Sequence, residues 1–444
     1  KVGVCRAVDF DIYRQLLVPG GIVNTWMIQT WGEMTSAQDR NDAEVLLVNK
    51  PPDVRNNVIG VRPVDEDEER TMLADAIIEH QNNFNIRNAK YQSEFIDNGP
   101  EKPDLDSTSF SPYLYQEEIQ AKAIPIVYRA GWYDAGTALG AINIFTSLSN
   151  PKRIIIGPWN HKGDFRADPF QPGDGMTPET ISKEKEYTLI TSSLDPFLKE
   201  EVESVEMNIL EYYTLGENKW KSTHDWPLPQ TRMNRMYLSE DNALTFDAPS
   251  EVMGSDVYRV NPNTGSGTNN RWYTQMGQPV YHPDRREIDK KLLVYDTPPL
   301  ENNLEITGHP VIHLFVYSTA TDGQFFVYLE AVLPDGQVKC VTDGQLRAIH
   351  RKISDKSAPY TMFGPYHTFK RNDAMPLVPG EVSEITFDLL PISVEFKRGW
   401  KIRLAIAGAD KDVFSPIPGC ESPELTIERN SHYASHIDLP IIGK

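Results

Sequence analysis

Cysteine is scarce: three residues in 444, Cys5, Cys340 and Cys420, stand far apart. So sparse and odd a count excludes a disulfide scaffold. The cysteines have no C-x-x-C partner and no nearby histidine at zinc spacing, so they suggest no cysteine-based zinc site, and no metal or organic cofactor is implied. Free or packed thiols fit a reducing, cytoplasmic compartment. Long apolar runs are also missing. Nothing approaches the ~20 residues of a membrane-spanning helix, which predicts a soluble chain with no membrane partner. Basic residues are outnumbered 44 to 63, for a formal charge of -19 and a pI near 5.0. Without a concentrated basic face to neutralise phosphates, nucleic acid is excluded as a partner. The opening KVGVCRAVDF carries no signal-peptide pattern and reads as the tail of a strand. Because it begins at Lys1 and not at methionine, a segment upstream is expected.

What is present is the composition of a globular protein, 39% hydrophobic and 24% charged, in a length that suggests two to three domains. From Asp9 to about Ala121 the pattern is helical. Pro19-Gly20-Gly21 leads into an apolar stretch with Trp26 and Trp31, read as one helix. Leu73, Ile77, Phe84, Tyr91 and Phe95 recur on one face between Glu69 and Phe95, read as another. The acidic run from Asp65 to Glu69 before it suits a helix N-terminus better than a metal site. From Ala121 to Val202 short apolar runs at Ile124 to Arg129 and Arg153 to Ile156 flank a helix over Thr137 to Leu148. That is a βαβ unit of a parallel sheet. A further helix is predicted from Thr177 to Val202, with Pro196 as a kink. After about Glu203 helical periodicity gives way to strand-like runs, among them Met207 to Leu215, Val311 to Thr319, Phe325 to Leu333 and Lys401 to Ala407. Tight turns such as Pro334-Asp335-Gly336 divide them, and the block predicts an antiparallel sandwich or jelly roll.

Two strand ends carry chemistry. IPIVYRAGWYDAG places Asp134 just beyond a buried strand, and RIIIGPWNHKG places His161 in the same relation to the next, 27 residues later. In a βαβ unit both strands point the same way, so their carboxyl ends open on one edge of the sheet, where α/β proteins build ligand sites. A carboxylate and an imidazole brought together there are two members of a catalytic triad. The imidazole takes the proton of a serine hydroxyl, and the carboxylate holds its tautomer and stabilises the cation. Acid before base is the chain order of α/β-hydrolases. The remaining histidines invite less. His313 lies within a strand run, His350 ends another and His80 sits on the second helix, positions usual for packed or solvated side chains.

The motifs GWYD and GPWNH, followed by SLDPFLKEEV and by a β-rich half containing VTDGQLRAIHR, resemble the CocE/NonD family of serine hydrolases. That family includes cocaine esterase, glutaryl-cephalosporin acylases, α-amino acid ester hydrolases and Xaa-Pro dipeptidyl peptidases. The resemblance covers essentially the whole chain and implies an α/β plus all-β fold: a partial α/β-hydrolase core with a helical cap insertion, followed by a β-sandwich jelly-roll domain. Residues 1–12 would end a core strand, 13–120 form the cap, 121–203 complete the core and 204–444 form the jelly roll. It implies Asp134 as triad acid, His161 as triad base, and substrate contacts at Trp31, Tyr133 and Gly136. Around GWYD the match is nearer to cocaine esterase. Ala135, Gly136 and Thr137 stand where the amino acid ester hydrolases carry acidic residues for a free α-amine, and Gly136 replaces a pocket aromatic of the cocaine-hydrolysing member. Trp31 falls where an aromatic of the cap lines the acyl pocket, and it also suits the core of a helical cap.

No G-x-S-x-G nucleophile elbow occurs between Lys1 and Lys444, and Gly265-Ser266-Gly267 lies in an Asn/Gly/Thr-rich turn. The expectation is therefore an ester or amide hydrolase acting on small molecules through an acyl-enzyme. Its nucleophilic serine and oxyanion-hole donors would come from a missing N-terminal segment. Homo-oligomerisation stays open. A rival of another class is a non-catalytic binding or scaffold protein built on the jelly roll, and a third is a fold that persists without activity.

Overall fold

The computed structural model describes residues 2–47, 60–83, 85–87, 94–98, 108–163, 165–170, 183–199, 206–268 and 270–443. Strands β1 (Gly3–Arg6), β2 (Ile126–Gly131), β3 (Lys152–Gly157), β4 (Ile209–Thr214) and β5 (Lys219–Thr223) form one sheet in that order, parallel from β1 to β4 and antiparallel at β5. The apolar runs flagged in the sequence thus become central strands with both faces covered, the usual fate of parallel strands.

Helices α1 (Thr25–Asp39), α2 (Ala43–Leu46), α3 (Thr71–His80) and α4 (Gln116–Lys122) lie between β1 and β2, α5 (Thr137–Ser147) joins β2 to β3, and α6 (Lys183–Leu198) follows β3. Every residue of α5 from Thr137 to Phe145 except Leu139 is buried, as expected for a helix that is apolar all round. The Asn24 side chain caps α1 by accepting from the Met27 amide, and the Asp67 carboxylate accepts from the amides of Met72 and Leu73 at the start of α3. Asp67 of the acidic run therefore acts at a helix N-terminus.

The second half is a two-sheet sandwich. Its larger sheet orders β15 (Ile392–Phe396), β10 (Leu304–Gly308), β18 (His436–Ile442), β11 (Val311–Ser318), β17 (Glu424–Glu428) and β8 (Ser255–Arg259). Strand β14 (Ser383–Asp388) pairs with β11, and β6 (Thr231–Leu238) joins β18 to β7 (Leu244–Thr245). The smaller sheet orders β13 (Val338–Arg347), β12 (Gln324–Val332), β16 (Lys401–Ala407) and β9 (Leu293–Asp296). Alternation on β11 sends Ile312, Leu314 and Val316 inward, all fully buried, each contributing ~1.5–3 kcal/mol by its removal from water.

The expected helix over 69–95 is shorter, because α3 ends at His80. Phe84 and Tyr91 lie outside the described residues, and Phe95 is buried edge-on against the His350 ring of the sandwich, with the Arg371 guanidinium over it. The expected helix start at Thr177 also lies outside the described residues. The division at 203/204 separates strands of a single sheet, since β4 runs parallel to β3 and brings β5 with it. The same segment docks on the sandwich: the Leu215 amide donates to the Ser393 carbonyl (2.9 Å), and Thr214 and Ser393 share a hydroxyl hydrogen bond (2.9 Å).

Gly131 ends β2 where an added Cβ would fall on the backbone carbonyl of Trp159, two residues before His161. Gly131→Ala should therefore cost about 1–3 kcal/mol through overpacking. Chemical denaturation will register this as a lower midpoint at unchanged slope, and an unchanged midpoint would contradict the close approach.

Candidate active site

Strands β2 and β3 end in register, Gly131 opposite Gly157, and the two chains then diverge into loops on the same edge. After β2, the Trp132 amide still donates to the Gly157 carbonyl (2.9 Å), and the chain turns at Asp134. Ala135 adopts φ 42°, an uncommon conformation for a residue with a Cβ, and its amide is tied to the Arg271 carbonyl (2.9 Å). The Asp134 carbonyl accepts from both the amide and the hydroxyl of Thr137 (2.9 and 2.8 Å) as α5 begins. After β3, the Asn160 side chain accepts from the Phe165 amide (3.1 Å), and the His161 amide donates to the Thr274 hydroxyl (2.9 Å). Thr274 in turn donates to the Gln278 carbonyl (2.9 Å).

These loops bring the two side chains into contact. His161 Nδ1 lies 2.9 Å from Asp134 Oδ1 and 3.2 Å from Oδ2. The carboxylate is sealed, with 1% of its side chain exposed against 29% for the imidazole. Gln275 Nε2 donates to Oδ1 (2.5 Å), and the Thr137 hydroxyl shares its one hydrogen between the Asp134 carbonyl and Oδ2 (3.0 Å). With Nδ1 committed to the carboxylate, Nε2 is the nitrogen left for a substrate or nucleophile. A small cleft lined by Arg6, Ala7, Gly131, Trp159, Asn160 and Gly163 contains both side chains.

The electrostatics follow from this arrangement. Burial lowers the basicity of His161, but the hydrogen bond to Asp134 and its charge, with Asp9 behind it, outweigh burial and leave its pKa above the ordinary 6.5. Such a group adds stability that is fully present below the unfolded pKa and is lost as pH rises through the folded one. Asp9, three residues past β1, is buried deeply enough to push its carboxyl up to about 8, and the neighbouring Asp134 charge adds to this while His161 opposes it. Its Oδ1 has no hydrogen-bond partner among the described residues.

The other expected contacts lie elsewhere. Tyr133 is buried, donates to the Val341 carbonyl (3.0 Å) and meets the His282 ring edge-on, so it points to the junction with the sandwich. Gly136 is packed against Gln15, whose backbone oxygen would stand 2.5 Å from an added Cβ. Trp31 is 39% exposed on α1, and it is Trp26 that stacks on Tyr273 at 4.1 Å. None of the three lines the cleft of Asp134 and His161. Missing from the sequence reading were Thr137 and Gln275. Thr137 was visible as the third residue after Asp134, a spacing at which a hydroxyl can return to a helix-initiating carboxylate. Gln275 stands 141 residues from Asp134 and carried no local signal.

An α/β-hydrolase sheet with helices inserted before the acid-bearing strand, followed by an all-β domain, defines the class. Residues 2–163 match the X-Pro dipeptidyl-peptidase (S15 family) profile, and residues 207–437 match the X-Pro dipeptidyl-peptidase C-terminal non-catalytic domain. A protein of Mycobacterium bovis named "Putative serine esterase" is 40% identical over 98% of this chain and 71% of its own length. The cocaine esterase of a Rhodococcus strain is 24% identical over 98% of this chain and 75% of its own. Among solved structures, an aminopeptidase from a marine Thaumarchaeota archaeon superposes with TM-score 0.65 at 18% identity, covering 100% of this chain and 72% of that one. A CocE/NonD family hydrolase from Staphylococcus aureus does so with TM-score 0.65 at 15% identity, covering 100% and 67%. The chain belongs to the CocE/NonD family of serine hydrolases. No helix among the described residues is long and apolar enough to cross a membrane.

The imidazole can be followed directly by NMR. His161 should titrate with a midpoint above 6.5, and Asp134→Asn should bring the midpoint below 6.5, because burial then acts without the carboxylate. A midpoint that Asp134→Asn leaves in place would show that the pairing is not what raises it.

Proposed function

We propose that this chain supplies the acid and the base of a serine hydrolase that cleaves acyl esters or amides of small molecules through an acyl-enzyme. The observation that carries the reading is the hydrogen bond between the buried Asp134 carboxylate and Nδ1 of the partly exposed His161. In the first half-reaction His161 Nε2 removes the serine proton as Oγ bonds to the acyl carbon, and the same proton passes to the departing alcohol or amine. In the second, water bonds to the acyl carbon as Nε2 takes its proton, and that proton passes to serine Oγ as the acyl–Oγ bond breaks, releasing the acid and restoring the hydroxyl. Asp134 keeps its charge throughout and stabilises the imidazolium, while Gln275 and Thr137 hold the carboxylate in line.

The nucleophilic serine comes, on this reading, from outside residues 1–444, because no nucleophile-elbow motif occurs within them. No acidic residue follows Asp134 directly, since Ala135, Gly136 and Thr137 stand there. The reading therefore favours acyl groups without a free α-amine. The name carried by the mycobacterial relative supports the choice of esters over peptides.

A fluorophosphonate probe applied to the intact protein, serine included, tests this. One serine should be labelled, and His161→Ala should abolish the labelling. With an aryl ester as substrate, Asp134→Asn should lower kcat by about three to four orders of magnitude at little cost in KM. Labelling that survives His161→Ala would remove His161 from the mechanism, and absence of labelling in the unaltered protein would favour the non-catalytic binding role.

A further inference from the structure

Among the described residues, and apart from the edge that carries Asp134 and His161, two histidines and a carboxylate converge on the outer face of the larger sandwich sheet. His313 on β11 stands directly opposite His436 on β18, and Asp438 follows two positions along β18 on the same face. The alternating residues Ile312, Leu314, Ile437 and Leu439 are fully buried on the other face. The two imidazoles stack at 4.4 Å and 17°. We propose that His313, His436 and Asp438 form a binding site for a divalent transition metal ion of the zinc type.

The hydrogen bonds around the two rings point to this. His436 Nδ1 lies 2.6 Å from the Ala434 carbonyl, which can only accept, so Nδ1 carries the proton and Nε2 presents a lone pair. His436 is 6% exposed, and that Nε2 is buried with no hydrogen-bond partner. A buried ring nitrogen left in this way requires an explanation, and a metal ion is one. On His313, Nδ1 lies 3.2 Å from the Thr386 hydroxyl, which itself donates to Glu384 (3.0 Å). With its hydrogen spent on Glu384, Thr386 accepts from Nδ1, and His313 too presents Nε2 as a lone pair. A backbone carbonyl or a carboxylate relay behind the non-ligating nitrogen is the outer shell that orients metal-binding histidines.

His313 Nε2 lies 3.6 Å from Asp438 Oδ2, and one ligand atom from each of the three residues falls within 4.8 Å of the others. Edges of a tetrahedral site with bonds near 2.0–2.1 Å are about 3.3 Å, so capture asks for small rotamer adjustments. His313 and Asp438 are 22% and 18% exposed, which leaves the ion a way in and a fourth position for water. Arg235 competes, since it holds Asp438 by two hydrogen bonds of 2.9 and 3.0 Å. A carboxylate has about four acceptor sites, so Oδ2 can keep the guanidinium and still take an ion, at reduced affinity. The bound ion would staple β11 to β18.

Calorimetric titration of chelator-treated protein with Zn2+ at neutral pH tests the site, with visible absorption of Co2+ as an independent report of coordination number. One ion per chain should bind, with the absorption of a four-coordinate Co2+ complex. His436→Phe, which keeps a ring in the stack, and Asp438→Asn should each weaken binding at least tenfold. The exposed-histidine variant His224→Gln should bind as the unaltered protein does. Zn2+ should also raise the melting temperature of the unaltered protein and of neither ligand variant, which separates ligand loss from misfolding. The proposal is overturned if no saturable binding occurs, or if binding persists undiminished in both His436→Phe and Asp438→Asn.

Discussion

A single hydrogen bond across the carboxyl edge of a parallel sheet organises what is chemically distinctive here. Asp134 and His161 leave neighbouring strands that end in register, where the Trp159 backbone passes close to β2 at Gly131. The carboxylate is fully enclosed and the ring is not, an asymmetry that suits a pair in which one group holds charge and the other exchanges protons with whatever enters. Removing a carboxylate from water is costly, and the cost is met by three donors, Nδ1 of His161, Nε2 of Gln275 and the Thr137 hydroxyl.

That Gln275 comes from the segment after the sheet explains how the two halves depend on each other. The loop from Arg271 to Gln278 reaches back to the α/β edge at four points: the Arg271 carbonyl on Ala135, the Thr274 hydroxyl under the His161 amide, the Gln278 carbonyl on Asn160, and Gln275 on the carboxylate itself. The sandwich is therefore part of the site's support. β4 belongs to both halves, running parallel to β3 in the first sheet and bonding to Ser393 of β15 through the Thr214 hydroxyl.

Much of this was legible in the residues, for identifiable reasons. Short apolar runs bounded by Gly and Pro around a helical segment specify a βαβ unit, and the contact of Asp134 with His161 followed from the direction of its strands. Pairing partners were less accessible: Met207 to Leu215 has the same local pattern whether it joins a parallel sheet or a sandwich, and β4 pairs with β3 across the expected division at 203/204. Phe95 carried the helical period of the segment before it, yet its burial is against His350 and Arg371, a tertiary contact that no local pattern encodes. Trp26 and Trp31 stand five residues apart on one helix and so face different directions, and among the described residues only the first finds an aromatic partner. Gln275 and His436 were invisible for the same kind of reason, since the neighbour of the first is set by a loop docking on the sheet edge and that of the second by register between distant strands.

The most direct measurement is a crystal structure of the intact protein after reaction with a phosphonate inhibitor. The account predicts the phosphonylated serine oxygen within about 3 Å of His161 Nε2, with Nδ1 still on Asp134. An adduct on a residue remote from His161, or a ring turned away from Asp134 while the adduct is in place, would contradict it.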